Sequence, residues 1–414
     1  MTDPRVARDV APPRRHDHLR KTALVVAACA AWIYSAAHFF VSGIRQPLHN
    51  FNGDFLASFP SWRLSVLLGR LDLYRGSLAE RWAVAFRSRI PVWHYGPVAH
   101  LVTLPLFAFG NLRSAYLAWL VATYAFLLVS LALAARAFDL RGVRWIALLA
   151  ILNFVPLYEA LTQRNIEIFE VALILAAFVL MRAERQSAAG IVIGFAAMTK
   201  FLPLIFIPYF AVKRMWNALA ASLITVVSIA VATELVFGWR NSGTVIQLLR
   251  GSFLSSGLNQ SLSGMIIRLL RWTHSSQSAA TLSRVAIVAG LAGLSWIFLK
   301  TRRCAGIEDL EWGTLIVAMV LLPPHNQQYY FVMLLFPFLA LLARRLYLWW
   351  LAISFLLVGA PVPFRLLGPG AFSIYLQAGI PFIGAAILAV LCVRALRHVP
   401  CSSGGPPPTD QEKL

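Results

Sequence analysis

An all-α fold that crosses a membrane about twelve times is what this sequence predicts, given roughly 20 residues per crossing helix. Three observations predict it. The composition is 59 % apolar and only 13 % charged, and the mean hydropathy of +0.69 lies outside the range of ordinary soluble domains. Apolar runs of near-spanning length recur along the chain. Lysines and arginines gather in alternate connections between those runs, as the preference of basic residues for the cytoplasmic side requires.

The elements follow in order. Residues 1–21 are polar, basic and proline-bearing, end in His18-Leu19-Arg20-Lys21, and read as a disordered cytoplasmic tail. Thr22–Val41 is too long for the apolar h-region of a signal peptide, and Ser42-Gly43-Ile44-Arg45 offers no small-residue cleavage site; the run reads as a retained span. Further spans are predicted near 114–135, 143–161, 165–182, 187–199, 201–212, 215–237, 281–300, 310–324, 328–343, 346–360 and 371–395. The pair 187–199 and 201–212 is too short to cross twice. It reads as a broken hairpin, which is tolerated where it lines a cavity. Residues 22–397 form a single membrane domain, and 398–414, with "SSGGPPPTDQEKL", a second disordered cytoplasmic tail.

Charge sets the orientation. With the N-terminus inside, the inner segments hold Arg20 and Lys21, Arg136 and Arg141, Arg182 and Arg185, Lys213 and Arg214, Arg302 and Arg303, Arg344 and Arg345, and Arg394 and Arg397. Both termini are then cytoplasmic, and the long loops 42–113 and 238–280 lie outside. "SWRLSVLLGRLDLY" mixes apolar residues with Arg63, Arg70 and Asp72, and Ser77-Leu78-Ala79-Glu80 is a capping-box pattern. These read as helices in the interface plane, with arginines meeting lipid phosphates. The net charge of +20 is therefore membrane anchoring, and nucleic acid is excluded as a partner.

Polar groups at membrane depth are costly and mark function by default. Here they collect on the outer side: Asp54 in "FNGDF", His94 and Tyr95, Gln163-Arg164-Asn165, Thr199-Lys200, Asn259-Gln260-Ser261, and His325 through Tyr330. The chain has no CxxC pair, His/Cys cluster, phosphate-cradling glycine loop or GxSxG elbow, so no metal or cofactor is expected.

The ordered set "GDF", "LDLYRG", "WHYGPVAHLVTLPLFAFG", "LTQRNIEIFE", "AAGIVIGFAAMTKFLP", "NQSLSGMIIRLL" and "LLPPHNQQYYFVMLLFP" resembles glycosyltransferase family 87. These are polyprenol-phosphate-mannose-dependent mannosyltransferases of the GT-C superfamily. The resemblance runs over roughly residues 22–345. The chain departs from the family pattern at Gly96-Pro97, where Pro-Pro is frequent, at Thr162-Gln163, and at Gln327-Gln328-Tyr329-Tyr330. The resemblance implies a GT-C-like fold of about twelve helices with outer interfacial helices. It also implies transfer of a sugar, mannose by analogy, from a polyprenyl-phosphate donor to a lipid- or glycan-linked hydroxyl in a bacterial inner membrane.

Such a reaction needs no acid at the leaving phosphate, only cations and donors that hold the developing charge. Lys200 and Arg164 are the candidate phosphate ligands, and His325 is a further catalytic donor. The acceptor hydroxyl needs a base, for which Asp54 is the candidate, and a single displacement inverts the anomeric centre. His94, Tyr95, Gln163, Asn165, Asn259, Gln260 and Tyr329 are candidate substrate contacts. Competing readings stand beside these: a helix cap for Asp54, snorkelling for Lys200, a span-end anchor for Arg164, loop structuring for Asn259, and Glu159, Glu167 or Glu170 as the base instead. A flippase of lipid-linked sugars would show repeat symmetry and midplane polar groups; neither is visible. Arabinose or another pentose in place of mannose keeps the same fold.

Overall fold

The computed structural model describes residues 15–49, 96–237, 258–270, 276–359 and 368–398. Asp54, His94, Tyr95, the interfacial helices and most of both outer loops lie outside the described residues. Among those described, every regular element is helical. The chain is an all-α, multi-pass membrane protein. Among the described residues, five helices are long and apolar enough to cross a membrane, or six when one bent pair is taken as a single span.

The first helix, α1 (Arg15–His38), runs through a π-helical turn, Phe39–Arg45, into a last turn, Gln46–His49. A short helix α2 (Pro97–Thr103) leads to α3 (Leu112–Ala137), capped at its start by the Asn111 side chain on the Ser114 N–H. The expected span 143–161 is a pair, α4 (Arg144–Leu152) and α5 (Val155–Gln163), bent by 47°. Pro156, in the first turn of α5, accounts for the break, since it supplies no N–H to continue the preceding helix.

Next come α6 (Glu167–Arg182) and α7 (Gln186–Lys200). The break expected near residue 200 is present. Phe201 sits at φ 62°, and a 3-10 turn, Leu202–Ile205, precedes α8 (Phe206–Lys213). After it come α9 (Trp216–Phe237), α10 (Leu262–Leu270), α11 (Ser276–Lys300) and α12 (Glu308–Leu321). A 3-10 turn, Gln328–Leu334, enters α13 (Leu335–Ala343), and α14 (Leu348–Gly359) follows. The run 371–395, expected as one span, is divided. Gly379 at φ 69° separates α15 (Pro369–Gln377) from α16 (Ile380–His398).

In lipid there is little hydrophobic drive between helices, so close approach of backbones matters. Gly190 and Gly194 provide it on α7. A Cβ at Gly190 would lie 2.3 Å from the Ala218 carbonyl oxygen, and one at Gly194 2.6 Å from Thr225 Cβ. These glycines seat α7 directly on α9. The flanks turned away from the bundle stay apolar: Val121 and Leu128 on α3, Leu235 on α9 and Val288 on α11 are exposed, as lipid-facing residues are. The interior is aromatic, with Trp312 wedged between Phe178 (ring centroids 5.2 Å apart) and Phe206 (4.6 Å).

A buried network pins the basic end of the bundle. Glu311 accepts from Lys213 Nζ at 2.8 Å, Tyr209 Oη at 3.0 Å and Thr301 Oγ1 at 2.5 Å, joining α8 and the end of α11 to α12. Nearby Arg344 forks onto Asp309, with Nε at 2.7 Å and Nη2 at 2.6 Å. That fork holds the guanidinium even more firmly protonated than usual.

Candidate active site

The polar residues singled out in the sequence lie at the ends of other helices, at the close of α5 and α7, the start of α6 and just before α10. Lys200 is the last residue of α7, and its position is fixed from two sides. The Gly96 N–H donates to the Thr199 carbonyl at 2.7 Å, and a Cβ on Gly96 would lie 2.0 Å from the Met198 carbonyl oxygen. Only a residue with an N–H and no side chain fits there. That accounts for Gly96-Pro97 where the family pattern often has two prolines.

Lys200 does not snorkel to the surface. Its ammonium is hydrogen-bonded to Glu167 Oε1, at the start of α6, with side-chain exposures of 2 % and 0 %. The ammonium also stands over aromatic faces, 3.7 Å from the Tyr330 ring centroid and 5.3 Å from that of Tyr329. The two tyrosines are stacked, with centroids 4.8 Å apart. Cation–π attraction of this kind strengthens when water is excluded. Glu170 lies one turn further along α6, wholly buried. Neither of its carboxyl oxygens has a hydrogen-bond partner, and it interacts electrostatically with Lys200 and Glu167. The cluster thus sets two carboxyl groups around one ammonium.

Arg164 is placed otherwise than at a span-end surface. It caps α5 in the left-handed conformation at φ 54° and is 1 % exposed. Its guanidinium lies 3.9 Å over the Tyr116 ring and donates to the Pro47 carbonyl at 2.8 Å. Its own carbonyl accepts from Trp119 Nε1 at 3.0 Å. The structure therefore brings Lys200 to Glu167 and Tyr330, and brings Arg164 to Tyr116 and Pro47. Gln163 ends α5 half-buried, and Asn165 is buried with its Oδ1 accepting from the Ile166 N–H at 3.3 Å.

A second group stands beside the first. Asn259, Gln260 and Ser261 precede α10 and are wholly buried. The Gln260 N–H donates to the Asn326 carbonyl at 2.7 Å, and Gln260 Nε2 to the Leu376 carbonyl at 2.9 Å. His325 is half-buried in a segment without regular structure, with Nε2 3.4 Å from Gln327 Nε2. Tyr329 and Tyr330 follow Gln328 in the 3-10 turn just beyond, so this segment runs from His325 to the Lys200 cluster. Sequence reasoning missed the Glu167 pairing, having weighed Glu167 only as an alternative base. It also missed Tyr116 and Pro47. An acid three residues beyond Arg164 in an otherwise apolar run is the signal that pointed to Glu167.

The ammonium is engaged by the Glu167 carboxylate, so an anion can be held there only in exchange for Glu167. Among the described residues no group of three or more His, Cys, Asp or Glu side chains could hold a metal ion.

Among solved structures, the crystal structure of ArnT from Cupriavidus metallidurans bound to undecaprenyl phosphate is similar at 15 % identity with a TM-score of 0.45, covering 91 % of this chain and 78 % of that one. No curated protein matches. Residues 93–324, more than half of the sequence, match the profile of glycosyltransferase family 87; the range includes Arg164, Glu167, Lys200 and Asn259–Ser261 and ends just before His325. The chain belongs to glycosyltransferase family 87 and is a membrane glycosyltransferase.

Proposed function

We propose that the protein transfers a sugar, mannose by analogy with the family, from a polyprenyl phosphate to a hydroxyl of a lipid- or glycan-linked acceptor. The transfer takes place on the outer face of a bacterial inner membrane, with both termini cytoplasmic. The proposed domain plan keeps a single membrane domain over residues 22–397 between short tails, with α1 already begun at Arg15, inside the expected N-terminal tail. The observation that carries the reading is the Lys200 ammonium at the end of α7, inside the segment that matches the family, under the rings of Tyr329 and Tyr330, which lie just beyond that segment. A donor phosphate there meets a positive charge in a water-poor site, where it is worth most.

That reading has a structural condition. Lys200 reaches the phosphate by exchanging Glu167 for it, because the ammonium is engaged by that carboxylate. Arg164 is engaged by Tyr116 and Pro47, so Lys200 is the first phosphate ligand and Arg164 the second. His325 donates to the departing phosphate, and Asp54 takes the acceptor proton. One bond forms between the acceptor oxygen and the anomeric carbon as the bond to phosphate breaks, with inversion. Gln163, Asn165, Gln260, His94 and Tyr95 are the proposed contacts to the sugar.

The test is purified protein in lipid bilayers supplied with polyprenyl-phosphate mannose, and in parallel with the arabinose analogue, together with lipid extract as acceptor. Transfer of labelled mannose supports the full reading. Transfer of arabinose alone changes the sugar and keeps the donor class. Transfer from neither, with movement of the intact lipid between leaflets, replaces the enzyme with a flippase.

A further inference from the structure

The peptide groups on both sides of His325 are gripped by one side chain. Asn259 Nδ2 donates to the Pro324 carbonyl at 3.0 Å, and Asn259 Oδ1 accepts from the Asn326 N–H at 3.0 Å. The same oxygen accepts from the Ser261 N–H at 3.1 Å. The amide is itself held from behind. Arg268 Nη1 donates to the Asn259 carbonyl at 2.5 Å, and a Cβ on Gly264 would lie 2.6 Å from Asn259 Cγ, so the first turn of α10 packs against it.

His325 needs such a hold. It follows Pro323 and Pro324, which offer no N–H, and residues 325–327 belong to no helix. No helix of its own holds this segment, and misplacement of a catalytic group by about 1 Å costs on the order of 10²-fold in rate. We propose that Asn259 is a positioning residue: its amide sets the peptide frame of His325, so that the imidazole meets the leaving phosphate. This rests on His325 as the phosphate's hydrogen-bond donor, and it moves Asn259 from the sugar contacts to the support of that donor. The residue type follows from the bonds. One end must donate to a carbonyl while the other accepts from two N–H groups, which an amide does and a carboxylate does not. Aspartate would keep the two accepted bonds and turn an oxygen toward the Pro324 carbonyl oxygen.

The experiment is a double-mutant cycle on the full chain in lipid, with kcat and donor KM measured for Asn259→Asp, Asn259→Ala, His325→Ala and the two combinations. The expected result is a fall in kcat of about 10-fold to 10²-fold for each single change. Donor KM should move little, and neither Asn259 change should cost anything further once His325 is alanine. A loss from Asn259 that persists undiminished in the His325→Ala background makes Asn259 a structural staple and overturns the inference while leaving His325 in its role. So does unaltered kcat in both Asn259 variants with His325→Ala impaired. Unaltered kcat in His325→Ala overturns the role of His325 and the inference with it. Should Asn259→Ala fail to accumulate, Asn259→Asp, which keeps the accepted bonds, carries the cycle alone.

Discussion

The Lys200 ammonium and the Glu167 carboxylate are ion-paired across two packed helices, both withdrawn from the surface. Removing one partner of a buried pair leaves the other uncompensated and costs about 3–5 kcal/mol, whereas replacing both is often neutral. Lys200→Met alone should therefore destabilise the protein by about that amount and abolish saturation by the polyprenyl-phosphate donor. Lys200→Met combined with Glu167→Gln should regain most of the stability and none of the donor binding. Thermal unfolding in detergent and donor titration of the three variants separate the two effects. Normal saturation in the double variant would reduce Lys200 to half of a structural pair.

Gly96 is tested by a single methyl group. Alanine there meets the Met198 carbonyl oxygen at 2.0 Å, with backbone rather than a flexible side chain in the way. Overpacking of this kind costs about 1–3 kcal/mol, and it should also displace the end of α7 that carries Lys200. Gly96→Ala is expected to lower both the melting temperature and donor affinity. Gly110→Ala, where nothing lies within 4 Å of the added carbon, is the matched control and should change neither. Equal behaviour of the two variants would contradict the packing of α2 on α7.

What the sequence made legible was whatever depends on composition and local pattern. Apolar runs gave the helices, the short pieces around Phe201 gave a break, and the isolation of Lys200, His325 and Asn259 in apolar surroundings marked them as candidates; the bend at Pro156 inside the run expected as one span was missed. Their partners were not legible. Glu167 meets Lys200 only because α6 and α7 pack together. Arg164 ends on the carbonyl of Pro47, and a backbone carbonyl has no signature in sequence. The division of 371–395 at Gly379 was missed because glycine is frequent within membrane helices, and only its positive φ distinguishes this one. The grip of Asn259 on both flanks of His325 required the direction of each bond, and spacing alone does not supply it.

The orientation is open to direct labelling. The alternation of bases places the loops 42–113 and 238–280 on the outer side. Cysteines introduced at Ser77 and Ser255, in a background lacking the four native cysteines, should react with an impermeant maleimide added to intact cells. Cysteine introduced at Gln186, the first residue of α7 at the end away from Lys200, should react only after the cells are opened. The reverse pattern would place the Lys200 cluster on the cytoplasmic side and remove the outer-face reaction.

Asp54 is the remaining element of the chemistry, and one conservative substitution separates its two readings. Asp54→Asn keeps shape and hydrogen-bonding capacity but takes away the proton acceptor. As the base for the acceptor hydroxyl, Asp54 should be worth about 10²-fold or more in turnover. Donor binding should persist, because the phosphate is held at Lys200. As a helix cap, Asp54 is replaced by Asn with a loss of only a few tenths of a kcal/mol, since the two cap almost equally well. The controls come from the carboxyl groups that compete for the role. Glu159→Gln should leave turnover near normal. Glu170→Gln removes a buried carboxyl group that has no hydrogen-bond partner, and should leave the rate within a few-fold while raising or preserving stability, since a buried carboxyl group without hydrogen bonds is unfavourable. Near-normal turnover in Asp54→Asn with collapse in Glu170→Gln would move the base to α6, beside Lys200. The acceptor hydroxyl would then have to enter the same enclosure as the donor phosphate, and transfer would have to proceed without the loop that carries "FNGDF".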